Sequence, residues 1–184
     1  FVGKKEQSKE QKKDLLAVFE NRRGIGNLDY VCAWYQKAAR YCHSTAVLGA
    51  FVSTNSITQG EQAPVLWNVL SEDLQPIFAY PTFVWSSETR ASERAHVHCV
   101  IIGFGAKCLD VKEKALYQNG TMHPVQDISP YLTDAPMVII QSRVDGICSG
   151  APEMMYGSMP IDNGYFTLSD DDVAAIKKER AGNA

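Results

Sequence analysis

Residues 78–105, FAYPTFVWSSETRASERAHVHCVIIGFG, narrow the possible folds more than any other stretch of the chain. Two runs dense in aromatic and β-branched residues flank about ten mostly polar or charged ones, which reads as two strands joined by a loop. In the second run the two-residue period of a strand sends His96, His98, Val100, Ile102 and Phe104 to one face. It sends Val97, Cys99 and Ile101 to the other. Both faces are mostly apolar, so the strand is expected inside a sheet covered on both sides. The first run ends in Thr82-Phe83-Val84-Trp85, two large aromatics where strand gives way to polar loop. Aromatics at the rim of a covered sheet can stack on a planar ligand, although strand aromatics more often serve the core.

A chain of 184 residues is long enough for one domain with a real core, or for one domain with a small appendage. Its hydrophobic share of 45% and charged share of 21% are those of a globular protein. No apolar run approaches a membrane span and no signal-peptide pattern is present. Five cysteines without a C-x-x-C spacing read as reduced thiols, and a cytoplasmic protein is expected. Because the first residue is Phe1 rather than Met, a piece of a longer chain is expected. The net charge of −3 argues against wholesale coating of a polyanion, yet residues 1–40 hold nine Lys/Arg against five Asp/Glu, leaving −7 on the rest. That local excess is either a solvated helix face or a phosphate-contacting patch, and charge does not choose between them.

In chain order, residues 1–7 resemble a loop leaving a strand. Ser8 with Gln11 makes a capping box for a helix through about Glu20, burying Leu15, Leu16 and Phe19. After a break at Arg22–Gly26, Asn27 is expected to cap a second helix carrying Leu28, Val31, Cys32, Tyr35, Ala39 and Cys42 on its apolar side. Ala46–Val52 reads as a buried, parallel strand. A polar loop then leads to a helix from about Gly60 to Leu70, with Pro64 tolerated in its first turn. Strand, loop, helix, strand is βαβ grammar, which places Asn55 to Glu61 at a strand's carboxyl end, where open α/β sheets bind ligands. Residues 109–168 hold short apolar pieces, Val138–Ile140 and Tyr165–Leu168, among turn residues. Ser169 caps a last helix with an acidic first turn and a basic end.

Several constellations have bland readings that outweigh the sharp ones. His96-x-His98-Cys99 lacks a second ligand pair at metal spacing, so packed or hydrogen-bonded histidines are expected and no metal. No G-x-S-x-G elbow supports a serine nucleophile, and Gly24 and Gly26 follow no strand and lack the third glycine of a dinucleotide fingerprint. Cys32 and Cys42 belong to a helix's apolar side and are expected to pack.

FVGKKEQSKEQKKDL, LDYVCAWYQKAARY, FVSTNSITQGEQ and FVWSSETRASERAHVHCVIIGF, in this order, resemble blocks of the large adenine-specific DNA methyltransferases of bacterial restriction-modification systems. In that family methyltransferase and target recognition share one chain. Ser129-Pro130-Tyr131-Leu132 and Gly157-Ser158-Met159-Pro160-Ile161-Asp162 resemble two further motifs, the first departing from the pattern with Ser129 in place of Asn. The resemblance implies that Phe1 is the aromatic of an Asn-Pro-Pro-Phe motif whose first three residues are absent here. It implies an α/β fold, the C-terminal half of a Rossmann-like S-adenosylmethionine-dependent methyltransferase sheet, with a loop-rich small-strand extension. Residues 1–108 would be the catalytic half and residues 109–184 the start of a target-recognition region or linker.

The implied reaction moves a methyl group from S-adenosylmethionine to the exocyclic amine of an adenine flipped out of double-stranded DNA. Stacking such a base on an aromatic is worth roughly 1–3 kcal/mol. Phe1 and Phe83 are expected to supply the two faces, with Trp85 in support and Asn55, Gln59, Glu61, Lys4 and Lys5 binding substrate. Most of the cofactor site, with its glycine-rich motif, is expected outside these residues, so the piece alone is expected to be inactive. No membrane and no metal is implied. The alternative is a non-catalytic DNA-binding or specificity module using the basic first 40 residues. A methyltransferase of RNA or protein would share the fold.

Overall fold

The computed structural model describes residues 2–86, 96–141, 148, 150 and 167–182. Ser8 closes the expected capping box: the Gln11 N–H donates to Ser8 Oγ at 3.2 Å and the Ser8 N–H to Gln11 Oε1 at 2.9 Å. Helix α1 spans Lys9–Val18 and buries Leu15 and Phe19. It stops short of Glu20 because Glu20 and Asn21 turn left-handed, with φ of 54° and 56°. Helix α2, Cys32–Cys42, begins later than expected and Asn27 does not cap it. Asn27 closes a 3-10 turn, Ile25–Asn27, and its Oδ1 accepts from Lys4 Nζ at 2.5 Å. Leu28, extended and fully buried, interrupts the helical path between them.

Strand β1, Leu48–Thr54, leads through a 3-10 turn, Asn55–Thr58, into helix α3, Gln62–Leu70, where Pro64 sits in the first turn. Strands β2, Leu74–Ser86, and β3, His96–Ala106, form the expected hairpin arms; the residues between them lie outside those described. Among the described residues the sheet order is β1-β3-β2-β4-β5. β3 runs antiparallel to both β1 and β2, so those two are parallel to each other but not neighbours. This corrects the expectation of a buried parallel strand over residues 46–52. Among the described residues β1 stands at the end of this order, with Leu48, Ala50 and Val52 exposed.

The three helices cover one face. Val100 and Ile102 of β3 are fully buried there, and Phe104, Tyr35 and Phe51 form a cluster of edge-on and tilted rings with centroids 5.2–5.9 Å apart. Each such pair adds about 0.5–1.5 kcal/mol beyond area burial. Tyr35 closes the cluster by hydrogen bonding to Ser53 Oγ at 2.8 Å. Among the described residues the opposite face is only partly covered, with Val97 and Val52 exposed. Gly103 on that face is required as glycine: the Phe78 ring lies 2.0 Å from where a Cβ would stand. His98 is exposed rather than packed, and the side chain of His96 lies outside those described.

The sheet continues past residue 108. Strands β4, Lys114–Gln118, and β5, Thr121–Val125, form a hairpin whose Asn119-Gly120 turn has φ of 50° and 78°, the left-handed pair a two-residue hairpin turn needs. β4 pairs parallel to β2. Val138–Ile140 forms no strand, and Gly157–Asp162 and Tyr165 lie outside the described residues. Ser129 shapes a tight turn, its Oγ accepting N–H groups of Tyr131 and Thr133 at 3.3 Å. The first compact unit ends at Ser142. In the second, helix α4, Asp170–Gly182, is capped by Ser169, whose Oγ accepts the Asp172 N–H at 3.2 Å. Among the described residues no helix is long and apolar enough to cross a membrane, and no three His, Cys, Asp or Glu side chains group as metal ligands.

Candidate functional site

Register decides where the rim aromatics stand. Tyr80 pairs with Ile101 and Phe83 with Cys99, so β2 gains one residue on β3 at a bulge containing Pro81, which has no N–H for the ladder. Thr54 of β1 pairs with the same Cys99 from the other side. Thr54, Cys99 and Phe83 therefore form one row across three strands, with side chains on one face. Phe83 is half-buried, its ring 6.3 Å from that of Trp85 and tilted by 48°, and Trp85 is 52% exposed.

From Thr54 the row continues into the turn after β1. Asn55 Nδ2 donates to Thr82 Oγ1 at 3.4 Å, binding this turn to the bulge. Ser56 Oγ lies 3.0 Å from Thr54 Oγ1 and donates to Asp29 Oδ2 at 2.6 Å. Asp29 is only 3% exposed. Its Oδ1 accepts the Lys4 N–H at 3.3 Å, and its own N–H donates to Gln62 Oε1 at 2.9 Å. The Tyr30 N–H donates to the Val2 carbonyl at 3.1 Å and Gln7 Nε2 to the Leu28 carbonyl at 2.9 Å. Residues 2–7 are thereby tied to Leu28–Tyr30, and Asp29 links them to the turn after β1.

The residues singled out from sequence fall into two groups. Phe83, Trp85 and Asn55 meet at the bulge. Lys4, Lys5 and Glu61 line a cleft of about 470 Å³ with Asn27 and Gln62. Gln59 belongs to neither group and is exposed beside them. Phe1 lies outside the described residues. A larger cleft of about 940 Å³, between the Arg22–Gly24 turn, α3 and Tyr131, contains none of the aromatics in question. Its Arg22 is held by Glu72 in a two-pronged ion pair at 2.6 and 2.9 Å, which keeps the Glu72 carboxyl below the usual range. Burial pushes the thiols of Cys32 and Cys42 up, which suits packing and not nucleophilic chemistry.

Sequence reasoning missed Asp29, Ser56, Thr54 and Gln62. A signal for Asp29 was present: a carboxylate set between Leu28 and Tyr30 in an otherwise apolar run must find donors if it is buried.

Comparison with known proteins gives this constellation a setting. Residues 1–118 match the family described as MmeI, DNA-methyltransferase domain. The chain belongs to this family. It is 42% identical over 174 residues to DNA methyltransferase A of Bacillus subtilis (strain 168), covering 92% of the chain and 19% of that relative. It also superposes with a TM-score of 0.80 on the Type IIL restriction-modification enzyme MmeI, solved in complex with DNA, at 42% identity over 97% of the chain and 24% of that protein. The chain thus spans a quarter or less of the length of these relatives. Its described residues carry a mixed α/β architecture built on a five-stranded mixed sheet.

A nucleoside-type methyl donor is held by a glycine-rich turn between a strand and a helix. Among the described residues, the strand-to-helix link after β1 has Gly60 as its single glycine, and Gly24 follows no strand. These residues do not make such a cradle.

Proposed function

We propose that this chain is part of a site-specific DNA adenine methyltransferase of a restriction-modification system. The reaction is methyl transfer from S-adenosylmethionine to the exocyclic amine of an adenine turned out of double-stranded DNA. Family membership supports the methyltransferase class, and the placement of Phe83 carries the site. Phe83 is the aromatic that the bulge aims, half-buried, beside the carboxyl end of β1. There Asn55 joins the two strands and the segment following Phe1 is tied down. Phe83 stacks on the extruded base and Phe1 closes on its other face. Trp85 backs Phe83 at the rim. Asn55 and Gln59 line the approach, and Lys4, Lys5 and Glu61 shape the neighbouring cleft toward the DNA.

The cofactor supplies the methyl group. Its seat belongs to parts of the full-length protein outside residues 1–184, so this piece neither holds it tightly nor methylates DNA by itself. Calorimetry showing tight S-adenosylmethionine binding by residues 1–184 would contradict that assignment.

In the full-length enzyme, Phe83→Ala should weaken base capture by roughly 1–3 kcal/mol while leaving cofactor affinity unchanged. The assay is tritium transfer to a target duplex, paired with fluorescence of a duplex carrying 2-aminopurine at the target adenine. Equal methylation rates for variant and wild type would remove Phe83 from the site. Residues other than Asn-Pro-Pro immediately before Phe1 would favour a non-catalytic DNA-specificity module instead.

A further inference from the structure

We infer that Asp29 is a positioning residue of this methyltransferase, a latch that sets the spacing between the two walls of the base pocket; the inference rests on the reading just given. Among the described residues Asp29 is the charged side chain that is buried, at 3% exposed. Burying a carboxylate is costly unless its oxygens are hydrogen-bonded. Here both oxygens are used, and on different parts of the site. Oδ1 accepts the Lys4 N–H at 3.3 Å, and Oδ2 accepts the Ser56 hydroxyl at 2.6 Å.

These two partners belong to different segments of the proposed site. Lys4 belongs to the segment that follows Phe1, and Ser56 to the turn that ends β1. From Ser56 the path runs through Thr54 Oγ1, 3.0 Å away, to the row in which Thr54, Cys99 and Phe83 stand abreast. The Asp29 N–H, donated to Gln62 Oε1 at 2.9 Å, anchors the latch to α3. Ordinary core packing does not explain this arrangement, because among the described residues neither oxygen is in a salt bridge and an apolar side chain would fill the space without desolvating a charge.

The latch works through hydrogen bonds and not through charge, which gives it a signature. Asn at this position keeps an oxygen for the Lys4 N–H and presents its amide to Ser56. The Ser56 hydroxyl can accept that amide and turn its own hydrogen to Thr54 Oγ1. Asp29→Asn should therefore retain function where Asp29→Ala loses it.

The test uses the full-length enzyme with an adenine duplex for turnover and a 2-aminopurine duplex for base extrusion. Asp29→Ala should lower kcat by about ten- to a hundredfold, the range that slight misplacement of reacting groups produces. It should also suppress the fluorescence rise, with cofactor affinity at the wild-type value. Asp29→Asn should restore both signals, and Ser56→Ala, which cuts one arm only, should fall between. Wild-type kcat and fluorescence in Asp29→Ala would overturn the inference, as would an Asp29→Asn as damaged as the alanine variant. If Asp29→Ala does not fold, wild-type signals from Ser56→Ala overturn it. A wild-type enzyme that extrudes no 2-aminopurine and methylates no adenine would instead remove the underlying reading.

Discussion

The two faces of the central strand teach different lessons. On the helix-covered face, Val100, Ile102 and Phe104 are buried at 0–2% exposure against Tyr35, Phe51 and the apolar sides of α1, α2 and α3. On the other, among the described residues, Val97 and, on β1, Val52 and Leu48 remain exposed, and Phe78 lies over Gly103. The first face holds the fold together. Among the described residues the second carries the row of Thr54, Cys99 and Phe83, so the aromatic proposed to stack on the base sits outside the helix-covered core. A site can then change its side chains without unmaking its scaffold.

The contrast can be broken at several strengths. Truncating the covered face should cost most: Ile102→Ala is expected to destabilise by about 2–5 kcal/mol, read from the urea unfolding midpoint. Gly103→Ala should cost about 1–3 kcal/mol by forcing a methyl into the Phe78 ring, and combining it with Phe78→Leu should recover part of that loss. Recovery in the double variant is the decisive outcome, since a purely backbone effect would leave the two changes additive.

Weaker still is the Arg22–Glu72 pair, whose side chains are 41% and 51% exposed. Glu72→Gln should cost about 0.2–1 kcal/mol at neutral pH. The Arg22 hydrogen bond holds the folded carboxyl below its ordinary value of 4.5, so the contribution is present above that pH and disappears as pH falls through the depressed value. Wild type and variant should therefore converge in stability in acid. Smallest of all, Val52→Thr on the open face should stay within about 0.5 kcal/mol of wild type. A loss as large as that of Ile102→Ala would mean that the two faces are equally committed to stability.

What was legible in the sequence was local. Ser8 with Gln11 and Ser169 with Asp172 announce helix starts because capping partners lie three residues apart. Leu15 and Phe19 reveal a buried stripe through spacing alone, and the aromatic content of β2 and β3 marks both strands. Pairing was not legible. Nothing in AVLGAFV states whether its partner runs parallel or antiparallel, and β1 joins β3 antiparallel. Asn27 matches a cap in isolation but is taken by Lys4, 23 residues away. The Asp29 connections to Lys4 and Ser56 span 25 and 27 residues, a range at which periodicity is silent.

The bulge at Pro81 has a consequence for the phase of β2. Phe78 and Tyr80 are even-numbered, Phe83 and Trp85 odd, yet all four pair with odd-numbered residues of β3 and so share its outer face. One inserted residue inverts the in–out alternation halfway along the strand. Were the same residues paired without the bulge, Thr82 would take the place of Phe83 beside Cys99, and both rim aromatics would swing to the opposite side. The aromatic platform is therefore encoded as much by an odd residue count as by the rings themselves.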